Sequence, residues 1–481
     1  MGLVEPVPVA RRPVEQLAPV IGRDRHAELT RAAGRFRRGL GSRIVWNVSS
    51  TAVGGGVAEM LQVLLGYVAD LDIASRWLVI TGDAEFFTFT KRLHNKIHGQ
   101  AAGGPLTAAE AGHYAQVLAA NAVDLLEHIR PGDLVLLHDP QTAGLTEYLS
   151  RAGAIVAWRS HIGLDWANEA TEEAWSFLRP HLCSARGFVF SRREYIPAWV
   201  PQDKVAIIPP SIDPFSPKNQ YLDDDTVRGI LATIGVLDGP ARPEPASFVR
   251  RDGMAGRVSR LAEITAERLP GPGDPIVVQV SRWDRLKDMG AVMCGFADHV
   301  TPTGHGYLLL VGPSVAGVTD DPEGAAVFAE CLQRWHELPA AVRARILLVN
   351  LPLEDADENA VMVNALQRHA SVIVQKSLAE GFGLTVAEGM WKSRPVIGSA
   401  VGGIIDQIPE GAGVLLPDPR DLDAFGAAVR RLLDDPAEAD RMGRAGQEHI
   451  RQNYVGDRHL LRYERLFDAM LRDSSPKQLA G

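Results

Sequence analysis

The sequence predicts an α/β chain folded as two doubly wound, Rossmann-like domains. Three observations predict it: short β-rich runs that alternate with helical patterns, a break in the alternation, and a second series of runs beyond the break. The first series is Ile44–Val48, Trp77–Thr81, Leu134–Leu137, Ile155–Trp158, Gly187–Phe190 and Val205–Ile208. The second is Ile276–Val280, Tyr307–Val311, Ile346–Val349, Val372–Val374 and Pro395–Gly398. Strands spaced by helices stack as βαβ units around a parallel sheet, so two series imply two sheets and two domains.

The break runs from Pro209 to Pro275 and is rich in Pro, Gly and charge, including PPSIDPFSPKN, DGPARPEP and LPGPGDP. Such composition marks a linker with helical insertions, and the domain boundary is expected near Pro270–Pro275. The expected organisation is an N-terminal arm over 1–42, a first domain over 43–272 with an insertion at about 222–272, and a second domain over 273–455. The pattern from Asp421 to Met470 is helical throughout, and a last helix over 456–481 is expected to cross back to the first domain. Within the arm, Arg31 to Arg38 is a short basic stretch that reads as a solvated helix face.

The 481 residues are 46% hydrophobic and 23% charged, enough for more than one ordinary core. A formal charge of -9 supplies no general basic field for nucleic acid or an anionic membrane, so any phosphate must be met by local Arg and Lys, and the expected partner is a small molecule. The three cysteines, Cys183, Cys294 and Cys331, are too scattered for a disulfide framework or a CxxC metal site, and read as reduced cytosolic thiols. Prolines and charges interrupt the N-terminus where a signal peptide needs an apolar core, and no segment reaches about 18 apolar residues. A cytoplasmic chain is expected.

Four motifs carry candidate chemistry. Gly54-Gly55-Gly56 follows the first strand and precedes the amphipathic segment Val57–Asp70, where backbone N–H groups at a helix start favour phosphate or a sugar hydroxyl; a tight turn without ligand has the same pattern. His138-Asp139-Pro140 and Arg159-Ser160-His161 follow successive strands, at the strand ends that face the ligand crevice of an open α/β sheet; a lone structural histidine is the alternative. Arg282 and Lys287, in QVSRWDRLKD after the first strand of the second sheet, can converge on one diphosphate and neutralise a nucleotide leaving group, although surface cations are common. The segment Glu380-Gly381-Phe382-Gly383-Leu384-Thr385-Val386-Ala387-Glu388 joins a glycine-flanked loop to a helix. There Thr385 and Glu388 fit a capping box, which explains Glu388 without a ligand and leaves Glu380 unexplained. The two carboxylates do not share a helical face, so they would address different parts of one ligand. No His, Cys, Asp or Glu cluster has metal-ligand spacing.

The segment SLAEGFGLTVAEGMWKSRPVIGSAVGGI resembles the Glu-x7-Glu signature of the family 4 retaining glycosyltransferases, which have the GT-B fold of two Rossmann-like domains with a cleft between them. GGGVAEML, HDPQTAGL, WRSHIGLD, IPPSIDPFSPKN and QVSRWDRLKD occur with it in the same order, and the set resembles the trehalose-forming branch of that family and, more distantly, the retaining trehalose phosphorylases. The resemblance covers roughly residues 43–455. The N-terminal arm and the longer 222–275 segment depart from it.

The resemblance implies a nucleotide-sugar donor, NDP-glucose, and transfer to glucose with retention of configuration. It implies that Arg282 and Lys287 grip the donor diphosphate, that Gly383, Leu384 and Thr385 offer backbone N–H groups to it, and that Glu388 binds the ribose. Glu380 would hold hydroxyls of the transferred sugar, Gly55 and Gly56 would close over the donor, His161 would face the donor sugar, and Asp139 the acceptor. No tightly bound cofactor or catalytic metal is implied; Mg2+ is admissible as a companion of the nucleotide, and a homodimer is compatible. Four alternatives stay open: a phosphorylase using inorganic phosphate, another NDP-sugar-dependent glucosyltransferase with a different small acceptor, a nicotinamide dehydrogenase, against which the absence of GxGxxG argues, and a non-catalytic sugar-nucleotide sensor.

Overall fold

The protein is described from a computed structural model covering residues 2–53, 55–101, 103–238, 246–303, 306–315 and 322–474. It divides into two compact units, Met1–Ser211 with Tyr454–Gly481, and Ile212–Asn453.

The first unit contains β1 (Val4–Pro6), α1 (Arg23–Leu40), β2 (Val45–Ser49), α2 (Gly55–Asp70), β3 (Ser75–Ile80), β4 (Leu134–His138), β5 (Ile155–Ser160), β6 (Gly187–Phe190) and β7 (Val205–Ile207). They form one sheet in the order β1-β3-β2-β4-β5-β6-β7, parallel except for β1 against β3. The order reverses between β2 and β4, which makes the carboxyl ends of those strands the place where a ligand crevice opens. Alternate residues cover both faces, as a strand's two-residue period requires. Val135, Leu137, Val156, Trp158, Phe188 and Phe190 pack into one core, and Leu134, Leu136, Ile155, Ala157 and Val189 into another.

The residues expected to form an arm are integral to this unit. β1 extends the sheet by pairing Val4 with Ile80, and α1 buries Leu29, Ala32, Ala33, Phe36 and Leu40 on one face. Arg31, Arg35, Arg37 and Arg38 are exposed on the other, so the basic stretch is a solvated helix face.

The second unit contains α3 (Asp224–Thr233), a hairpin of β8 (Ser247–Val249) and β9 (Ala255–Arg257), β10 (Glu263–Thr265), β11 (Ile276–Val280), α4 (Met289–His299), β12 (Tyr307–Pro313) and β13 (Ile346–Leu351). It continues with α5 (Ala356–His369), β14 (Val372–Gln375), α6 (Leu384–Trp391), β15 (Val396–Ser399), α7 (Gly403–Gln407), β16 (Val414–Leu416), α8 (Leu422–Asp434) and α9 (Pro436–Asn453). The sheet order is β10-β13-β12-β11-β14-β15-β16, parallel except for β10 against β13. From β11 onward this is the strand order of a dinucleotide-binding fold, with its switch point between β11 and β14. The chain then returns to the first unit as α10 (Gly456–Ser474), which packs on α1 through Phe36 and Phe467, with ring centroids 6.2 Å apart, and through an Arg25–Asp457 ion pair at 2.7 Å.

Each predicted run forms a strand. The boundary differs from the expectation: the segment 222–272 belongs with the second unit, and the division falls at Ser211 and Ile212 rather than near Pro270–Pro275. Backbone pairing decides it. β10 joins β13 at Glu263–Asn350, and Arg250 reaches Asp355, the cap of α5, at 2.7 Å. Of the stretches that suggested a linker, residues 269–275 lie between β10 and β11 of this sheet, Pro209 and Pro210 belong to the first unit, and residues 239–245 lie outside the described residues.

Candidate active site

In the second unit the switch point brings together loops far apart in sequence. β11 and β14 are neighbours, so residues 281–287 after one strand meet residues 376–383 after the other. Leu378 N–H donates to the Leu286 carbonyl at 2.8 Å, and the buried Gln279 side chain donates to the Lys287 carbonyl at 2.7 Å. These bonds fix the loop backbones, and the result is a Lys287 Nζ to Glu380 Oε2 ion pair at 2.5 Å, with side chains 15% and 13% exposed. The cation assigned to a diphosphate and the carboxylate assigned to a sugar are therefore each other's partners. Arg282 lies apart from this pair: its side chain is 66% exposed and meets Asp284 at 2.9 Å.

Gly383 caps α6 in the left-handed region, with φ of 82°, where an L side chain is strained. The first-turn N–H groups of a helix have no partner within it, so Leu384 and Thr385 present donors and the positive end of the helix dipole. The expected capping box is absent. Gly383 is the cap, and the Thr385 hydroxyl donates to Gln375 Oε1 at 2.9 Å, so Glu388 is not its reciprocal member. Glu388 is buried in α6 with Lys218 Nζ at 3.6 Å. Its main-chain oxygen accepts from Lys392 Nζ at 3.0 Å, and Lys392 also donates to Asn219 at 3.0 Å. Burial pushes the Lys392 ammonium well below its usual range, while the Glu388 carboxylate opposes that shift. Lys218 and Asn219 were missed as site residues, although the IPPSIDPFSPKN motif contains both.

Gly403, opening α7, supports the Glu380 loop at close range. Its N–H donates to the Gly381 carbonyl at 3.0 Å, and a Cβ on it would lie 2.7 Å from the Phe382 Cα, a backbone atom that cannot step aside. Gly403→Ala is expected to push residues 381–382 outward, costing about 1–3 kcal/mol of stability, with a fall in kcat as Glu380 moves. Thermal melting and steady-state kinetics check it, and unchanged values for both would show that the loop is not braced here.

In the first unit, β2 leads to Gly55 and Gly56 at the start of α2; Gly54 lies outside the described residues. β4 ends at His138, and Asp139 follows with φ of 64°, a left-handed position that aspartate tolerates better than most residues. The Asp139 carboxylate accepts the His161 backbone N–H at 2.8 Å, and Trp158 Nε1 donates to the Asp139 carbonyl at 3.0 Å. The two strand ends are thus tied together. The His138 and His161 rings stack at 5.4 Å, with His138 Nδ1 to His161 Nε2 at 3.1 Å and His138 Nε2 to Asn47 Oδ1 at 3.3 Å.

Arg159 completes the cluster and is fully buried. Its Nε donates to His161 Nδ1 at 3.1 Å and its Nη2 to the Ile208 carbonyl at 3.0 Å, while Nη1 meets the Tyr463 hydroxyl and lies 3.4 Å from His459 Nε2. Burial raises Asp139 to about 6, partly offset by the His161 backbone bond and by Arg159. Burial lowers His138 to about 3 with Arg159 adding to the effect, and holds His161 and His459 well below the usual histidine range. Asn47, Tyr463 and His459 were not identified from sequence. The only signal for the last two was their four-residue spacing on one face of the final helix.

Among the described residues no group of three or more His, Cys, Asp or Glu is placed to hold a metal ion, and no helix is long and apolar enough to cross a membrane.

Two doubly wound sheets with polar clusters at their switch points define the architecture of a GT-B glycosyltransferase. Solved structures share it: an α,α-trehalose 6-phosphate synthase from Burkholderia multivorans matches with a TM-score of 0.64 at 16% identity, over 90% of this chain and 99% of that one. A sucrose-phosphate synthase from Thermosynechococcus elongatus matches with a TM-score of 0.60 at 19% identity, over 90% and 100%. Residues 47–197 match the family model "Trehalose synthase, N-terminal domain", and residues 358–449 match "Glycosyl transferases group 1". The chain is 34% identical to the trehalose synthase of Rubrobacter xylanophilus over 454 residues, covering 94% of this chain and 95% of that protein. It is 35% identical to the trehalose synthase of Thermococcus litoralis over 421 residues, 87% and 88% of the two chains. A trehalose phosphorylase of Pleurotus pulmonarius is more distant, at 26% identity over 84% of this chain and 54% of that one. The chain belongs to the trehalose synthase family and is a retaining hexosyltransferase.

Proposed function

We propose that the enzyme transfers glucose from NDP-glucose to glucose, forming trehalose and NDP with retention at the anomeric carbon. The observation that carries the reading is the meeting of Lys287 and Glu380 beside the α6 N-terminus, which supplies a cation, a carboxylate and oriented N–H donors to one ligand. Lys287 and Arg282 neutralise the diphosphate, the Gly383-Leu384-Thr385 backbone donates to it, Glu388 takes the ribose, and Glu380 holds hydroxyls of the transferred sugar. In the first unit Gly55 and Gly56 approach the donor, His161 serves the donor sugar and Asp139 the acceptor.

In the proposed step the bond between the anomeric carbon and the phosphate oxygen breaks, and a bond to the acceptor hydroxyl oxygen forms on the same face. The acceptor proton passes to the departing phosphate oxygen, so the protein's work is to position and neutralise. The partners are the sugar nucleotide and the sugar acceptor. The reading adds no resident cofactor, admits Mg2+ with the nucleotide, and sets the enzyme in the cytoplasm, in keeping with the unpaired state of Cys183, Cys294 and Cys331.

The deciding experiment incubates ADP-, UDP- and GDP-glucose with glucose, glucose 6-phosphate and other acceptors, and reads the product anomers by NMR. Trehalose formed from an NDP-glucose and free glucose supports the reading. Trehalose consumed only with inorganic phosphate would make the enzyme a phosphorylase, and binding without turnover would make it a sensor.

Arg282→Ala and Lys287→Ala are each expected to weaken nucleotide binding by about 1.5–3 kcal/mol, the worth of a charge-assisted hydrogen bond. Lys287→Ala costs more, because it also leaves the half-buried Glu380 carboxylate without its cation. Nucleotide affinity measured by calorimetry and unchanged in both variants would remove the diphosphate assignment.

A further inference from the structure

The hydrogen bonds around His161 have one possible direction. An arginine Nε only donates, so at 3.1 Å His161 Nδ1 accepts. A neutral imidazole accepting at Nδ1 carries its proton on Nε2 and donates it to His138 Nδ1 at 3.1 Å. His138 must then carry its own proton on Nε2, which faces the Asn47 side-chain oxygen at 3.3 Å. The chain runs from Arg159 through His161 and His138 to Asn47.

Arg159 itself has little freedom. The Ile208 carbonyl, the Tyr463 hydroxyl and His459 Nε2 take three of its four other donors, and its guanidinium carbon lies 5.6 Å from the Tyr463 ring centre. The last two partners stand on α10, so the final helix of the chain holds the residue that orients His161.

We propose that Arg159 is a positioning residue that locks His161, and through it His138, in the Nε2–H form, so that His161 meets substrate as a hydrogen-bond donor and never as a base. Both ring nitrogens of His161 are engaged, and the one that can be released is Nε2. A ligand oxygen that displaces His138 Nδ1 receives that proton in a hydrogen bond, and His138 is the acceptor that holds the ring ready. The oxygen served is a sugar hydroxyl or a phosphate oxygen. The substrate part rests on the proposed assignment of His161 to the donor sugar; the ring state does not.

The test uses the full chain labelled with 15N-histidine, with long-range proton–nitrogen spectra at pH 7.5 and assignment by His161→Gln and His138→Gln. Both rings are expected as neutral Nε2–H forms in the unsubstituted protein. A His161 ring protonated on Nδ1, or on both nitrogens, overturns the proposal without reference to any substrate. In Arg159→Met, His161 is expected to lose its single form and kcat to fall about 10–100-fold. In a His161→Leu background the same substitution should change kcat less than about threefold, because residues that act through one another are not additive. Additive losses would assign Arg159 a role of its own and also overturn the proposal. If Arg159→Met does not fold, Arg159→Lys keeps the buried charge but lacks the fixed Nε direction, and is read in the same two ways. Failure of the unsubstituted enzyme to make trehalose would count against the proposed reaction and leave the spectra to judge Arg159.

Discussion

Glu380→Gln is expected to lower kcat about 10²–10³-fold while leaving nucleotide affinity within about threefold of the unsubstituted enzyme. The amide keeps the shape of the side chain and removes the charge that, in the proposed assignment, strengthens sugar contacts as positive charge develops at the anomeric carbon. It also removes the ion-pair partner of Lys287, 2.5 Å away in the ligand-free protein. The ammonium, released from Glu380, remains available to the diphosphate, so binding does not suffer with catalysis. Glu388→Gln should do the reverse, raising donor KM about tenfold with a smaller change in kcat, because a ribose contact is made alike in ground and transition states. Steady-state kinetics together with calorimetric nucleotide binding separate the two variants. Near-normal kcat in Glu380→Gln, or two variants that differ from the parent only in melting temperature, would reduce both glutamates to scaffold.

Asp139→Asn is expected to stabilise the first unit at pH 8 while depressing activity. Burial raises the Asp139 carboxyl from its ordinary value to about 6, so the folded protein holds this proton more tightly than the unfolded chain does. A raised pKa contributes stability below the unfolded value of 3.8, and that contribution is lost as pH rises through about 6. Above that pH the ionised group costs about 3 kcal/mol by the size of the shift, a figure that already includes the opposing pull of Arg159. Asparagine removes the cost. It tolerates the left-handed backbone at φ of 64° and still accepts the His161 N–H. Melting curves should show the variant more stable at pH 8 and the advantage fading toward pH 4. An advantage that is independent of pH would show that the carboxyl is not the source.

The same substitution tests the acceptor role. In the parent enzyme protonation of Asp139 should produce an acidic limb in kcat/KM near pH 6, and Asp139→Asn should be slow with that limb gone. The neighbouring histidines work in the opposite sense. His138, His161 and His459 have lowered pKa values, so the stability they contribute is present above about 6.5 and is lost as pH falls, for His138 down to about 3. These histidines contribute to the acid branch of the stability curve together with carboxylates held low, such as Glu110 and Asp355, and Asp139 contributes to the penalty above pH 6.

Much of this protein is determined by local sequence alone. The β-rich runs are strands because their composition suits a buried parallel sheet, and the glycine at Gly383 opens a helix because only a residue without Cβ sits there without strain. The candidate positions were also legible as types: polar residues at or beyond strand ends, at 138–139, 159–161, 282–287 and 380–388, fall on the carboxyl side of their sheets because a parallel sheet gathers those ends on one edge. Partners across the fold were not legible. That Lys287 meets Glu380 depends on β11 and β14 being neighbours, and strand order is set by packing of whole βαβ units rather than by either loop. That Thr385 turns to Gln375, leaving the expected capping box unformed, depends on the end of a neighbouring strand. That the 222–272 segment joins the second unit depends on β10 finding the edge of β13 and on Arg250 finding Asp355, against a composition that reads as linker. That Arg159, which donates to His161, is itself held by the Tyr463 hydroxyl on α10 depends on a residue some three hundred positions further along the chain. Chain composition and periodicity report the environment each residue prefers; which distant residue supplies that environment is decided only when the sheets close and burial makes an unpaired polar group too costly to keep.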